Sequence, residues 1–155
     1  MRACGECSAC CTVMGVDFDK YYKPPADRCK HQRKEGGCKI YKKRPESCRG
    51  FECTWLTVEQ MPDFTRPDKL GVMFVHGEEP KHWSPLHQKL VIARPVNSVE
   101  AMWSDAAKRC YHMLWHGGLA VWFDLPGKRN YLVDEQGREL PPHELQYYEK
   151  MIEQI

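Results

Sequence analysis

The sequence predicts an α+β protein: a cysteine-rich, loop-dominated, metal-binding N-terminal module packed on a small antiparallel sheet with two helices. Three observations lead there. Eight of the nine cysteines fall within the first 53 residues. That segment shows little periodicity, whereas β-rich runs and helical stripes begin near Leu70. Their order along the chain, β-β-α-β-β-α, suits one layered α+β unit. The expected division is a cysteine-cluster module over residues 1–53 and a small α+β region over 54–155. The two are expected to pack together, as neighbours or as one continuous domain.

Within the module, Pro24-Pro25, Gly36-Gly37 and Pro45 punctuate a chain of loops and short turns. Few apolar residues are available there to offset chain entropy, and cross-linking through a metal is the usual substitute. Farther on, "KLGVMFVHG" and "QKLVIARPV" are β-rich runs of strand length. "SVEAMWSDAAKRCYHMLWHGG" reads as one helix, with Ser98 as N-cap and Gly117-Gly118 as the stop. Val99, Met102, Trp103, Ala106, Cys110, Met113 and Leu114 form its apolar stripe, where Cys110 serves as a small buried hydrophobe. "LAVWFDLPGKRNYLVDEQG" looks like two strands joined at Pro126-Gly127. "LPPHELQYYEKMIEQI" opens with proline and places Leu145, Tyr148, Ile152 and Ile155 on one helical face. Trp83, Trp115 and Trp122 are expected to pack rather than to stack on a ligand.

With 155 residues, 42% hydrophobic and 28% charged, the composition is that of an ordinary globular protein. No apolar run approaches the ~20 residues that span a bilayer. The start "MRACGECSACC" lacks the apolar stretch of a secretory signal. The expectation is a cytoplasmic protein with no membrane partner, in a reducing compartment where stable disulfides are rare. An odd cysteine count also argues against a fully paired disulfide set. Charge is uneven. Between Arg28 and Arg49 nine basic residues face two acidic ones, a local +7 against +2 for the whole chain.

Thiolates at C-x2-C spacing grip one ion because the intervening residues form a turn that aims both sulfurs inward. Zinc takes four such ligands, and iron–sulfur clusters also prefer four cysteines. Cys4, Cys7 and Cys10 supply three at the spacing a cubane cluster uses, and Cys11, Cys29, Cys38, Cys48 and Cys53 follow. The cofactor expected is therefore an iron–sulfur cluster, of 4Fe–4S type, or Zn2+. Eight thiolates are twice what one such centre needs. Adjacent residues point their side chains apart, so Cys4, Cys7 and Cys10 are expected to join one distal cysteine while Cys11 turns elsewhere. A four-thiolate centre carries net negative charge, and Arg44 and Arg49 are expected beside it, donating hydrogen bonds to sulfur. Pro45 holds Arg44 in extended geometry on the way to Cys48.

These residues carry a resemblance. C-x2-C-x2-C-C at Cys4 to Cys11, then Cys29, then "GCKIYKKRPESCRGFEC" resembles the zinc- or iron-chelating CxxCxxCC family of YkgJ-like cysteine cluster proteins. In the second stretch the matching positions are Cys38, Ile40, Tyr41, Arg44, Pro45, Cys48, Arg49, Phe51 and Cys53. The resemblance covers about a third of the chain and implies metal or iron–sulfur binding by these cysteines, with no particular reaction. A similar motif occurs in flagellin lysine methylases, but no glycine-rich nucleotide signature accompanies it here.

Other chemistries compete with this reading. The basic stretch 28–49, with Tyr21, Tyr22, Tyr41 and Phe51 nearby, suits a zinc-stabilised nucleic-acid-binding module. A thiol–disulfide oxidoreductase places C-x-x-C at a helix start beside a βαβ pattern, and neither is expected around "CGECSACC". His112 and His116 have the i, i+4 spacing of a zinc pair, but Met113 stands where a general-base glutamate would follow the first histidine. Both histidines fall opposite the apolar stripe and are expected in solvent. His31, among the cysteines, is a candidate substitute ligand. His76, His82, His87 and His143 show no partner pattern.

Overall fold

In the first half of the chain the elements are short, because turn-forming residues interrupt every run. The computed structural model describes residues 2–77 and 89–154. His82, Trp83 and His87 lie outside the described residues, as do Ile155 and the side chains of Tyr148 and Ile152. Helix α1 (Ala9–Val13) leads to a two-stranded antiparallel ribbon, β1 (Val16–Phe18) and β2 (Tyr21–Lys23). A long irregular segment with one 3-10 turn follows, ending in α2 (Glu46–Arg49) and α3 (Thr54–Thr57). Arg44, before Pro45, is extended at φ −60° and ψ 145°, as the proline requires.

The second half is more regular. After α4 (Pro67–Leu70) come β3 (Val72–His76) and β4 (Leu90–Pro95), then α5 (Asp105–His116), β5 (Ala120–Phe123), β6 (Tyr131–Val133) and α6 (Leu145–Glu153). Strands β3 to β6 form a four-stranded sheet in sequence order. The protein is thus α+β with a four-stranded sheet, but that sheet is mixed rather than purely antiparallel. β3 and β6 run antiparallel to their neighbours, while β4 and β5 are parallel, with Leu90 opposite Ala120 and Ala93 opposite Phe123. The cause is the intervening helix: α5 carries the chain back to the end where β4 began, which is how parallel neighbours are joined.

The expected helix over 98–118 is two elements. Val99–Trp103 is a 3-10 turn, and α5 starts afresh behind Ser104, whose hydroxyl accepts from the Ala107 N–H at 3.1 Å. Ser98 does not cap; its hydroxyl bonds Glu100 instead. Because the break at Ser104 resets the helical phase, the buried face of α5 is Ala107, Cys110, Tyr111, Leu114 and Trp115. Met113 and Trp103, expected in the stripe, are both 38% exposed.

Tyr111 crosses edge-to-face with Phe74 at 6.0 Å, and its hydroxyl donates to the Met102 carbonyl at 2.6 Å. Three consecutive residues of β3, Val72 to Phe74, are buried, so both faces of that strand are covered. Helices α1, α3 and α4 pack against it. Ala9 and Val13 of α1 therefore belong to the same apolar cluster as the sheet, and that cluster continues across residue 53. Arg2 reinforces the junction, donating to the carbonyls of Trp55, Glu59 and Met61 with its guanidinium over the Trp55 ring. Among the described residues, no helix is long and apolar enough to cross a membrane.

Candidate metal centre

The cysteine-rich start is shaped by a turn and then a helix. Cys4 to Cys7 close a tight turn, with the Cys7 N–H donating to the Cys4 carbonyl at 2.9 Å. Gly5 makes this possible by taking φ +57°, a region that a side chain disfavours. The chain then enters α1, where Ala9 and Val13, one turn apart, face the core. Cys10 and Cys11 lie between them and border the opposite space.

Several contacts hold α1 in place. Lys23 is buried, and its ammonium donates to the carbonyls of Thr12, Met14 and Pro24 at 2.9, 2.5 and 3.0 Å, meeting acceptors at and beyond the helix C-terminus. Gln32 donates to the Ser8 hydroxyl at 2.8 Å, and the Cys29 N–H donates to the Cys11 carbonyl at 2.9 Å. The basic segment is thereby laid against the helix. Gly36, at φ +97°, sits so close to the Glu6 carbonyl that an added Cβ would stand 2.4 Å from that oxygen.

The result is a cavity of about 90 Å3. Cys4, Cys7, Cys10 and Cys11 border it from the first segment, and Cys29, Cys38 and Cys48 from the basic one. Phe18, Ile40 and Phe51 add apolar wall, and Arg44 and His31 add polar edge. All eight N-terminal cysteines are free. Cys53 is buried in the apolar cluster at the start of α3 rather than on the cavity wall, though its thiol is electrostatically coupled to Cys4 and Cys10.

Charge coupling runs through the whole group of thiols. Cys10 interacts with Cys4, Cys7, Cys48 and Cys53, and Cys11 with Cys29, Cys38 and Cys48. The Cys10 thiol also hydrogen-bonds Cys11, a contact that raises the Cys10 pKa and lowers that of Cys11. Burial pushes Cys7 up to about 11 and raises Cys4, Cys48 and Cys53. Arg44 opposes this at Cys4, Cys10 and Cys48. On the cavity wall Cys4, Cys7, Cys10 and Cys48 are thus held towards the neutral thiol, while Cys11 is shifted towards the thiolate.

A fit test follows from these positions. Thiolates around one zinc ion, at ~2.3 Å each, stand about 3.8 Å apart. Among the described residues no three cysteine sulfurs lie within 4.8 Å of one another. The Tyr21 hydroxyl is sealed from solvent and lies within reach of the Cys29 thiol, so its O–H is placed to donate to that sulfur. The donor set fits a sulfur-ligated centre.

Arg44 borders the cavity, stacked at 3.8 Å over the Tyr41 ring with its Nε donating to the Tyr41 carbonyl at 3.0 Å. Arg49 is exposed at the end of α2 and does not border the cavity. Cys7-x-x-Cys10 does straddle a helix start, contrary to expectation, but α1 has five residues and burial raises Cys7 rather than activating it. Asp68 and Lys23 were not legible as site residues. Asp68 takes a hydrogen bond from Cys7 and pairs with Arg66 at 2.6 Å, yet in sequence it is only an acid in a first helical turn. Lys23 reads as one more solvated lysine.

On α5, His112 and His116 are exposed as expected. Glu135, from the turn after β6, meets both, its carboxylate 2.7 Å from His112 and 3.4 Å from His116. No family model, curated protein or solved structure matches the chain.

Proposed function

We propose that this chain is a cysteine-cluster metal protein of the YkgJ-like kind, holding an iron–sulfur cluster or zinc in an electron-transfer, metal-handling or accessory role. One observation carries the reading: seven cysteines distant in sequence border one cavity. In this proposal Cys4, Cys7 and Cys10 join one distal cysteine in one centre, and Cys11 belongs to a second with cysteines of the basic segment. When bound, the metal supplies either a structural cross-link or, as an iron–sulfur cluster, an electron store. The chain's own residues shield it: Phe18, Ile40 and Phe51 limit water, Arg44 offsets thiolate charge, and Lys23 fixes the helix that carries Cys10 and Cys11. The reducing, cytoplasmic setting belongs to the same proposal.

Anaerobic purification with visible spectroscopy and metal and sulfide analysis tests it. Brown protein with acid-labile sulfide is the expected result. Colourless protein with stoichiometric zinc retains the metal site and removes the cluster. Folded protein without metal overturns both.

A second reading rests on the surface of the basic segment. Tyr22 and Tyr41 are 61% and 50% exposed, among lysines and arginines that also face solvent. A zinc-stabilised nucleic-acid module would bind single strands there, with affinity falling steeply as salt rises.

A further inference from the structure

The exposed face of α5 carries donors that the cysteine cavity does not use. His112 and His116 lie one turn apart, with ring centroids 4.2 Å from each other. The helix that carries them is fixed, because its opposite face buries Cys110, Tyr111, Leu114 and Trp115. Glu135 arrives from a different element, and that element is also fixed. Asp134 accepts from the backbone N–H groups of Gln136 and Arg138 at 2.8 and 3.0 Å, closing the turn that presents Glu135. Two indoles then tie the turn to the helical layer: Trp115 donates to the Val133 carbonyl and Trp103 to the Gly137 carbonyl, each at 3.0 Å.

The carboxylate spans the two rings. One oxygen is 2.7 Å from His112 Nδ1 and the other 3.4 Å from His116 Nε2, and all three ligand atoms fit within 4.8 Å of one another. Nitrogen and oxygen ligands of one tetrahedral zinc, at ~2.0–2.1 Å each, stand about 3.3 Å apart. Two imidazoles and a carboxylate suit zinc and its borderline neighbours rather than calcium or magnesium, which prefer all-oxygen shells.

We propose that His112, His116 and Glu135 form an open three-ligand site for a zinc-class divalent cation on the outer face of α5. The fourth position faces solvent and takes water or an exchangeable ligand. This site is separate in sequence and in donor chemistry from the cysteine cavity, so the two stand or fall independently.

The experiment titrates Zn2+ into the anaerobically purified protein and follows histidine ring nitrogens by NMR. The ring signals of His112 and His116 should move together and stop at one added equivalent, with His143 unmoved. Glu135→Gln, which keeps the side-chain shape, and His116→Ala should each weaken binding at least about tenfold, as loss of a metal partner does. Unchanged amide spectra establish that both variants fold; should His116→Ala not fold, Glu135→Gln alone decides. A response at only one of the two histidines overturns the site, as does unaltered affinity in Glu135→Gln. A response at His31 with His112 and His116 unmoved would put the metal in the cysteine cavity and also overturn it.

Discussion

Cys10 and Cys11 are adjacent on the face of a short helix that turns towards the cavity. In α1 successive side chains diverge by roughly 100°, so Ala9 and Val13 face the core while the two cysteines both border the cavity, close enough for their thiols to hydrogen-bond. Cys10 is coupled to Cys4, Cys7 and Cys53, Cys11 to the cysteines of the basic segment, and Cys48 to both. If each set holds one four-thiolate centre, Cys11→Ser lowers bound metal by about half and spares the first centre, since four ligands complete a site. Cys10→Ser should spare the second centre instead. Metal analysis of the two purified variants checks this, and complete loss from Cys11→Ser defeats the division into two sets.

Among the elements, α5 is where local signals outweigh periodicity. Ser104 interrupts a run whose apolar spacing looked continuous from Val99 to Leu114, and its hydroxyl caps the helix. Ser104→Ala removes that bond and should cost about 1 kcal/mol of stability. Ser98→Ala, lacking a capping bond to lose, should cost less. Urea melts of the two variants compare them directly. Strands β3 and β4 were legible because their β-branched and aromatic runs were bounded by glycine and proline. The parallel pairing of β4 with β5 was not, since strand direction depends on where α5 returns the chain. Glu135 stayed hidden for a related reason: its partners lie on another element, and no spacing in sequence links them. The cysteine cavity itself was legible from density and spacing, whereas the buried Lys23 and the Asp68 contact came from tertiary packing alone.

At the scale of the whole molecule, two parts of the fold are held by different means. The sheet and α5 share a buried core in which Val72, Val91, Ala93, Val121 and Phe123 have no exposed surface. Residues 28–49 have no buried apolar side chain other than Cys29 and are laid on α1 by a few hydrogen bonds. On the metal-bound reading, chelation should therefore loosen this basic segment first and leave the sheet intact. Trypsin reports it well, because nine lysines and arginines lie there. The expected products are cuts within 28–49 and a protected fragment containing β3 to β6, identified by mass spectrometry. An unchanged cleavage pattern after the metal is removed would contradict metal-dependent ordering.

The packing of Ala9 and Val13 with β3 also orders events during synthesis. The first four cysteines leave the ribosome early, but the strand against which their helix packs spans Val72–His76. At ~5–20 residues per second, those thiols wait several seconds without a partner surface. During that interval they are open to oxidants and to any metal at hand. On the metal-bound reading, loading would therefore depend on what the nascent chain meets before its sheet exists, and a delivery factor acting after β3 emerges would act on a helix already seated.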